Sequence, residues 1–462
     1  MRSRNLTRGL GLLATLWLIG CSDDTTAPPA DRKAAQPETA AATAEVAALA
    51  AEVRLLASAA GATALPGPAP VRQPLNVLGQ ALAFDKILSG NRDISCMTCH
   101  LTRTATVDAR SISIGQGGTG IGTSRTHPQN RFIHRNAPSL FNLHTMNSLT
   151  WDGRVFRDAG GVIRTPGANL LAAQRAILEC GVASALPMFP VLSRAEMRGE
   201  SGNELAAVLD TKHQRTWKFL MQRLGAIPEY RTMFESAYPG VAFDNMDFAH
   251  AGNAMGCWIT AVFAANNTPW DRMLAGNDDA MTEAQLRGAK LFFGGAKCSQ
   301  CHSGPLFTDS KFHNVAVPQV GPGFGNGPDG RDDFGRFRQT ADPKHRYAFK
   351  TPPLRNVELT GPYGHDGAIT NLRSWVDHYS QSDLKLRAYD PNQLEPLLQG
   401  TLLPTTDDIL LTRDARLKRL VLLPTTVDDI TEFLKALTDA RSRTLTGTVP
   451  LRVPSGLTID AP

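Results

Sequence analysis

The stretch "ISCMTCHL", Ile94–Leu101, contains the pattern Cys-x-x-Cys-His, and the stretch "AKCSQCHSG", Ala296–Gly304, contains it again. This pattern is the attachment signal of a c-type haem. Its spacing places both cysteine sulfurs on one side of a helical turn, where each bonds to a haem vinyl group, and the next histidine binds the iron. Two copies predict two covalently bound haems.

The first haem motif consists of Cys96, Cys99 and His100, and the second haem motif consists of Cys298, Cys301 and His302. Two other interpretations of paired cysteines are a zinc site and a redox dithiol. Neither requires a histidine directly after the second cysteine in both copies. The haem interpretation therefore accounts for more of the pattern, with His100 and His302 as iron ligands.

The N-terminus predicts export. "MRSRNLTRGLGLLATLWLIGCSDD" begins with a basic segment and continues with an apolar run, Leu10–Gly20, that is too short to span a bilayer. Leu18–Cys21 resembles a bacterial lipobox, in which the cysteine is acylated and the preceding residues are removed. An ordinary signal peptide is the alternative. We expect the protein on the periplasmic side of a bacterial membrane, with a lipid anchor at Cys21.

The charge balance excludes one class of partner. The formal net charge is +5, but three basic residues lie in the predicted signal peptide. The remaining 45 basic and 43 acidic residues nearly cancel. This balance gives no support for nucleic-acid binding.

The chain divides into four predicted segments. Residues 1–20 form the signal peptide, and residues 21–70 form an Ala- and Pro-rich tether with one helix between Thr39 and Ala60. Residues 71–280 and 281–462 form the N-terminal and C-terminal haem domains. We expect the extreme C-terminus to pack back on the first of these domains.

Hydrophobic periodicity predicts a mainly α fold of two cytochrome-c-like domains with long irregular loops. No alternation of strands and helices is present. The helical patterns cover Asn203–Leu224, Asp247–Ala265, Thr282–Phe293 and Asp428–Leu437. Thr282 and Gln285 form a predicted capping box.

Two cysteines, Cys180 and Cys257, remain outside the motifs and the lipobox. In an oxidising compartment they can form a disulfide. The sequence alone slightly favours the other interpretation, that both are small buried hydrophobic residues.

Several further segments resemble the bacterial di-haem cytochrome c peroxidase family, which includes MauG-type enzymes. They occur in the family's order: "RNAPSLFN" (135–142), "WDGR" (151–154), "AEM" (195–197), "FHN" (312–314), "GRF" (335–337), "FKTPPLRNVELTGPYGHDG" (349–367) and "FLKALT" (433–438). The resemblance implies that hydrogen peroxide is reduced at one haem while the other handles electrons.

The resemblance also implies roles for individual residues. Trp151 matches a tryptophan between the haems that carries electrons, Gln174 matches a distal-pocket glutamine, and Glu196 matches the distal acid and base. Glu179 is the alternative to Glu196, because an insertion precedes "AEM". Asn136, Thr360 and Pro362 match the positions around a calcium ion, which suits an amide and carbonyl oxygens.

The first departure from the family pattern is Gln116. In many relatives the loop after the first haem motif carries a histidine that closes the iron, whereas this loop reads "SIGQG". An amide binds iron poorly, so we expect the first haem to be open to peroxide without prior reduction. His127, His134 and His144 are the alternative ligands.

The second departure is Tyr379. Ordinary peroxidases of the family use a methionine as sixth ligand of the second haem, which raises its potential. Here Tyr379 holds the matching position, and no methionine follows Met281. MauG-type enzymes resemble this chain at both departures. His378 or a water molecule is the alternative ligand.

We therefore expect a di-haem peroxidase that leans towards MauG-type oxidation of a partner protein. The alternative enzyme removes peroxide with electrons from a small cytochrome or cupredoxin. A membrane-tethered electron carrier is the non-enzymatic alternative, but a carrier needs neither an open iron nor a distal acid.

Overall fold

The computed structural model describes residues 37–165 and 170–460, with side chains from residue 44 onwards. The predicted signal peptide and Cys21, the predicted site of the lipid anchor, lie outside these residues. Within the described ranges, no helix combines the length and apolar character that crossing a membrane requires.

The fold is mainly α-helical, as the periodicity predicted. Sixteen α-helices form within the described residues: α1 Pro37–Ala59, α2 Gln73–Phe84, α3 Cys96–Cys99, α4 Ala172–Ile177, α5 Val182–Ala185, α6 His213–Gly225, α7 Pro228–Ala237, α8 Phe248–Val262, α9 Pro269–Leu274, α10 Glu283–Phe293, α11 Phe337–Thr340, α12 Leu372–His378, α13 Ser382–Arg387, α14 Pro396–Gln399, α15 Thr406–Leu411 and α16 Pro424–Lys435.

Five short strands in the described part of the chain form two small antiparallel sheets. The strands are β1 Ser148–Leu149, β2 Val155–Arg157, β3 Ile163–Arg164, β4 Phe312–His313 and β5 Phe349–Lys350. In the first sheet Ser148 pairs with Phe156, and Phe156 pairs with Arg164. The β1–β2 turn carries Trp151, so the hairpin fixes where this side chain leaves the backbone.

The first apolar core is centred on the close pair α2 and α8. A Cβ atom at Gly79 would lie only 2.1 Å from the carbonyl oxygen of Ala254, so glycine permits the backbones to approach. Phe84 and Trp258 meet edge to face, with ring centroids 5.8 Å apart. This core takes nearly all of its buried residues from residues 65–265 and surrounds the first haem motif.

The second core is centred on α10 and α16. The predicted capping box is present, because Gln285 N–H donates to the Thr282 hydroxyl and Thr282 N–H donates to the Gln285 side chain. Phe292 and Phe433 meet with ring centroids 5.1 Å apart. Residues 270–437 supply this core, together with residues 50–62.

Both ends of the described chain connect the two cores. Ala50, Val53 and Ala57 of α1 are fully buried in the second core, whereas Leu65 belongs to the first. At the other end, Val453 is buried in the first core. The residues expected to form a tether therefore pack against the protein from Glu45 onwards.

The helix predicted at Asn203–Leu224 begins ten residues late, at His213. The reason is a set of side-chain hydrogen bonds between residues close in the chain. The buried Arg198 guanidinium donates to the carbonyl oxygens of Leu205 and Val208, and the Asn203 side chain accepts from Ala206 N–H. These bonds hold residues 203–212 in turns, since the polar groups that would extend the helix are already used.

The preference for two unpaired cysteines was wrong, because Cys180 and Cys257 form a disulfide. Cys257 lies on α8 and Cys180 just before α5. The two helices approach closely at Gly256, where a Cβ atom would lie 2.3 Å from the Ala183 carbonyl oxygen. The disulfide joins residues 77 apart in the chain and fastens α8 to the segment that precedes α5.

Gly288 provides a test of the second core. A Cβ atom there would lie 1.8 Å from the carbonyl oxygen of Asp429 on α16. We expect Gly288→Ala to lower the free energy of unfolding by about 1–3 kcal/mol, the usual effect of overpacking. Gly400→Ala is the control, because nothing lies within 4 Å of its Cβ position. Chemical denaturation measures both, and equal effects would contradict the close packing of α10 on α16.

Candidate haem sites

The first haem motif is presented by α3. Met97 and Thr98 of this helix are buried in the first core, and the Ser95–Thr98 capping box closes its N-terminus. Cys96 and Cys99 are only half-buried. The two intervening residues are buried in the first core, while both sulfurs lie at its edge, packed against it.

His100 is prepared as a metal ligand. Its Nδ1–H donates to the carbonyl oxygen of Thr106 at 2.9 Å, and burial lowers its pKa. The imidazole is therefore neutral with its proton on Nδ1. This tautomer leaves the Nε2 lone pair for a metal, as in most histidine-ligated sites.

The second haem motif repeats this arrangement. Lys297 takes a left-handed conformation with φ of 57° and starts the turn Cys298–Gln300. His302 Nδ1–H donates to the carbonyl oxygen of Phe307 at 3.0 Å. Burial lowers the pKa of His302 to about 4, so Nε2 carries no proton at neutral pH.

The second motif opens into a cavity of about 250 Å³, called here the second haem cavity. Tyr379 lines the cavity with His302, and its hydroxyl hydrogen-bonds with no residue that the structure describes. His378, the alternative ligand, is buried instead, with Nε2–H donating to the Val315 carbonyl oxygen at 2.8 Å. The donor set of two cysteines, one histidine and one tyrosine fits a c-type haem.

Trp151 lies on the wall of this cavity that the first half of the chain supplies. Its indole Nε1–H donates to the carbonyl oxygen of Asn136 at 3.0 Å, and its own carbonyl oxygen accepts from Lys350 N–H at 2.8 Å. Leu140 lines the same wall, and its N–H donates to the hydroxyl of Thr106, the residue that orients His100. This wall therefore connects the two motifs.

Glu196 lies near the first motif, on a π-helical turn, Arg194–Arg198. Burial is the main cause that raises the pKa of the Cys96 thiol to about 11, and the charge of Glu196 acts in the same direction. Among the residues that the structure describes, none forms a hydrogen bond or ion pair with the Glu196 carboxylate. Glu179 differs, since it pairs with Arg72 at 2.8 Å and accepts from Asn253.

Gln116 contacts the turn that carries Glu196. Its backbone N–H donates to the Glu196 carbonyl oxygen at 2.8 Å. Its side chain lies between Gly90 and Gly199. A Cβ atom at Gly90 would lie 2.7 Å from Gln116 Oε1, and a Cβ atom at Gly199 would lie 2.4 Å from Gln116 Nε2. The Gln116 Oε1 atom is buried without a hydrogen-bond partner.

The three histidines that could replace the closing ligand have other contacts. His127 packs against Gly117, beside Gln116, and its Nδ1 accepts from Gln129 N–H. His134 donates to the Gly323 carbonyl oxygen, and His144 donates to that of Pro66.

Gln174 lies on α4, where it is buried against the N-terminus of α8 rather than beside either motif. Its amide N–H groups donate to Gln214 and Asp247, and its oxygen accepts from Leu171 N–H. All of its polar atoms are therefore used in connecting α4 to α8.

The three predicted calcium positions, Asn136, Thr360 and Pro362, all line the second haem cavity. Both hydrogen bonds of the Asn136 amide use Nδ2, which donates to the carbonyl oxygens of Arg110 and Ser111. Oδ1 is the atom that remains for a hard cation.

Two buried cations at this site had no predicted role. Lys350 lines the cavity, and burial lowers its pKa to about 7. Arg135 pairs with Asp152 and Asp333, and all three side chains are buried. Arg135 lies in the segment "RNAPSLFN" and Lys350 in the segment "FKTPPLRN". Only the fold shows that both segments pass beside Trp151.

A helical chain with two prepared histidines after two pairs of haem-attachment cysteines defines the class of a di-haem c-type cytochrome. Comparison with known proteins makes this more specific. The model of the di-haem cytochrome c peroxidase family matches residues 74–279.

Relatives agree with this match. The cytochrome-c peroxidase IdrP1 of Denitromonas iodatirespirans is 30% identical over 340 residues, which cover 68% of this chain and 76% of the relative. The methylamine utilization protein MauG of Methylorubrum extorquens is 28% identical over 316 residues, covering 68% and 71%. The crystal structure of a MauG-like protein associated with microbial copper homeostasis shares the fold, with a TM-score of 0.59 and 24% identity, over 84% of this chain and 96% of that chain.

The chain belongs to the di-haem cytochrome c peroxidase family and is an oxidoreductase. Membership in this family implies two c-type haems, in agreement with the two motifs.

Haem content tests the assignment of both motifs. We expect two covalent haems per chain in a pyridine haemochrome assay of protein matured in a host that attaches c-type haems. Changing Cys298 and Cys301 to Ala should leave one, because thioether attachment needs both sulfurs. Changing Cys180 and Cys257 to Ser is the control and should leave two. A single haem in the unaltered protein would contradict the assignment.

Proposed function

We propose that this protein is a periplasmic MauG-type enzyme that reduces hydrogen peroxide at the first haem and oxidises a partner protein. When bound, each haem supplies an iron that exchanges electrons singly, whereas cleavage of peroxide takes two. His302 and Tyr379 would hold the second haem, whose iron would store or relay the second oxidising equivalent. A lipid anchor at Cys21 holds the enzyme at the membrane.

The observation that carries this proposal is the Tyr379 hydroxyl in the cavity of His302, which forms no hydrogen bond with any described residue. A phenolate is a hard, anionic donor that favours the oxidised state, whereas a methionine thioether raises the potential. Burial raises the pKa of Tyr379, so the phenol loses its proton only to a strong cation such as ferric iron. Such a ligand makes the iron harder to reduce, which is unfavourable for a relay that has to accept electrons.

Glu196 is the proposed acid and base for peroxide. Its carboxylate lies near the first motif without a partner, so it is free to take a proton from one peroxide oxygen and return it to the other. Gln116 supports the Glu196 turn and offers iron only an amide, which leaves the first iron accessible. Gln174 contributes indirectly, by holding α4 against α8.

Trp151 is the proposed path for electrons between the two sites, because it lines the second haem cavity from the side that carries the first motif. A calcium ion bound by Asn136 Oδ1 and the carbonyl oxygens of Thr360 and Pro362 would stiffen the same wall. Asn136 also accepts the indole hydrogen bond, so this ion would stabilise the position of Trp151.

The second candidate function is removal of peroxide with electrons from a small cytochrome or cupredoxin. The relative that is 30% identical, named a cytochrome-c peroxidase, favours it. The two functions differ at the second haem, since a donor-fed enzyme needs a readily reduced iron there.

Exchange of Glu196 tests its role. Glu196→Gln keeps the shape of the side chain and removes its proton transfer, so we expect peroxide turnover to fall on the order of a hundredfold or more. Haem content and the EPR spectrum should stay unchanged. Glu179→Gln is the matched control and should retain turnover, because Glu179 is bound to Arg72. The opposite order of the two variants would transfer the role to Glu179.

Substitution of Tyr379 distinguishes between the two candidate functions. In the unaltered enzyme we expect peroxide to produce a long-lived state that holds two oxidising equivalents, together with slow turnover of reduced cytochrome c. Tyr379→Met should shorten this state and raise the potential of the second haem by on the order of 100 mV, within the range of about 0.8 V that axial ligands span.

Tyr363→Phe is the matched control, since it removes another hydroxyl from the same cavity, one that donates to the Val357 carbonyl oxygen. Optical spectra and potentiometry follow both variants. Rapid oxidation of cytochrome c, with no lasting oxidised state and no effect of Tyr379→Met, would favour the peroxide-removing enzyme.

A further inference from the structure

We propose that the ion pair between Arg135 and Asp152 is a positioning device that holds the Trp151 ring on the wall of the second haem cavity. This inference rests on the proposed function, in which Trp151 carries electrons between the two sites. Arg135 and Asp152 act through Trp151 and touch no substrate.

The geometry is a pair of adjacent connections between two short segments. Arg135 and Asn136 are consecutive, and so are Trp151 and Asp152. The indole Nε1–H of Trp151 donates to the Asn136 carbonyl oxygen at 3.0 Å. One residue along each segment, Arg135 Nη1 lies 3.0 Å from Asp152 Oδ2, an ion-pair contact in which the N–H is not aligned for a hydrogen bond with any described residue. A single hydrogen bond leaves an indole free to swing about it, whereas two adjacent connections fix the segments in both position and direction.

The other edge of the Arg135 guanidinium fastens this pair to the second half of the chain. Nε and Nη2 donate to the two carboxylate oxygens of Asp333 at 2.6 and 2.9 Å. Asp333 is itself held, because it accepts from Gly335 N–H and its own N–H donates to Gln319. The planar fork of arginine reaches two carboxylates at once, which the single ammonium group of lysine cannot do.

Asp152 is also held by its remaining contacts. Thr150 Oγ1–H donates to Oδ1 at 2.9 Å and Gln339 Nε2–H to Oδ2 at 3.2 Å. Arg336 donates to the Asp152 backbone carbonyl oxygen at 2.8 Å. A carboxylate with this many donors has one position, and the neighbouring Trp151 backbone shares that position.

Burial explains why these charges are present for geometry rather than for stability. The side chains of Arg135, Asp152 and Asp333 are 7, 1 and 2% exposed. Burial acts to raise the pKa of Asp333, but the Arg135 guanidinium outweighs it and lowers the pKa to about 2. Buried ion pairs contribute little net stability relative to apolar residues of similar size, although removing one partner is costly.

The experiment compares Asp152→Asn with Asp333→Asn in the holoprotein with two haems. Each variant removes one negative charge from the same guanidinium, but only Asp152 is bonded to Trp151 in the chain. We measure the rate of electron exchange between the irons after pulsed reduction of one of them. We also record the ultraviolet resonance Raman band of the Trp151 indole N–H, identified by difference from Trp151→Phe.

We expect Asp152→Asn to shift this band and to slow the exchange by at least about tenfold, since a displacement of 1 Å is enough for such losses. Asp333→Asn should lower the thermal midpoint and affect the band and the exchange rate less than Asp152→Asn does, because Asp333 reaches Trp151 only through Arg135. If Asp152→Asn does not fold, Arg135→Lys replaces it, with the same expected shift and slowing.

Two results would overturn the proposal. The first is an unshifted indole band in Asp152→Asn, or in Arg135→Lys if Asp152→Asn does not fold. The second is an equal effect of Asp152→Asn and Asp333→Asn on the rate of electron exchange. Failure of the proposed function is recognised separately. If Trp151→Phe exchanges electrons at the unaltered rate, Trp151 is not the path between the haems. The Raman shift alone then decides whether the ion pair positions the ring.

Discussion

The hydrogen bond from each haem histidine to a carbonyl oxygen a few residues further on is the interaction on which the two sites depend. His100 donates to Thr106, and His302 donates to Phe307. Each bond fixes the neutral tautomer, points Nε2 away from the backbone and closes the loop after the cysteines. Since the same bond recurs in both halves, the two motifs are prepared in the same way, and their different chemistry must come from the opposite wall of each site.

The two sites are not independent of each other. Thr106 orients His100 with its carbonyl oxygen, while its hydroxyl accepts from Leu140, which lines the second haem cavity. Asn136, on the same wall, accepts from Trp151 and donates through its own N–H to the His365 carbonyl oxygen. A displacement at one site is therefore transmitted through a short, hydrogen-bonded segment to the other. This connection is a structural basis for a two-iron enzyme whose centres act together.

Features set by neighbours in the chain could be predicted from the sequence. The two haem motifs and the capping box of α10 depend on spacings of a few residues, and the structure has all of them. The helix start at His213 could not be predicted, because the buried Arg198 side chain binds the carbonyl oxygens of residues 205 and 208, and hydrophobic periodicity does not indicate such a bond. Pairing of Cys180 with Cys257 depends on how closely α8 and α5 approach, which no local pattern encodes.

The junction between the two cores could not be predicted from the sequence either. Both cores are apolar and could be anticipated from helical periodicity, but buried charged side chains lie where the first half of the chain meets the second, among them Arg135, Asp152, Asp333 and Lys350. An apolar junction would have been at least as stable, since desolvation offsets much of the attraction within buried ion pairs. Apolar side chains, however, pack in several nearly equivalent ways, whereas a forked guanidinium between two carboxylates has one geometry. The proposed electron path through Trp151 requires its indole at a fixed place, and that single geometry provides this where additional stability would not.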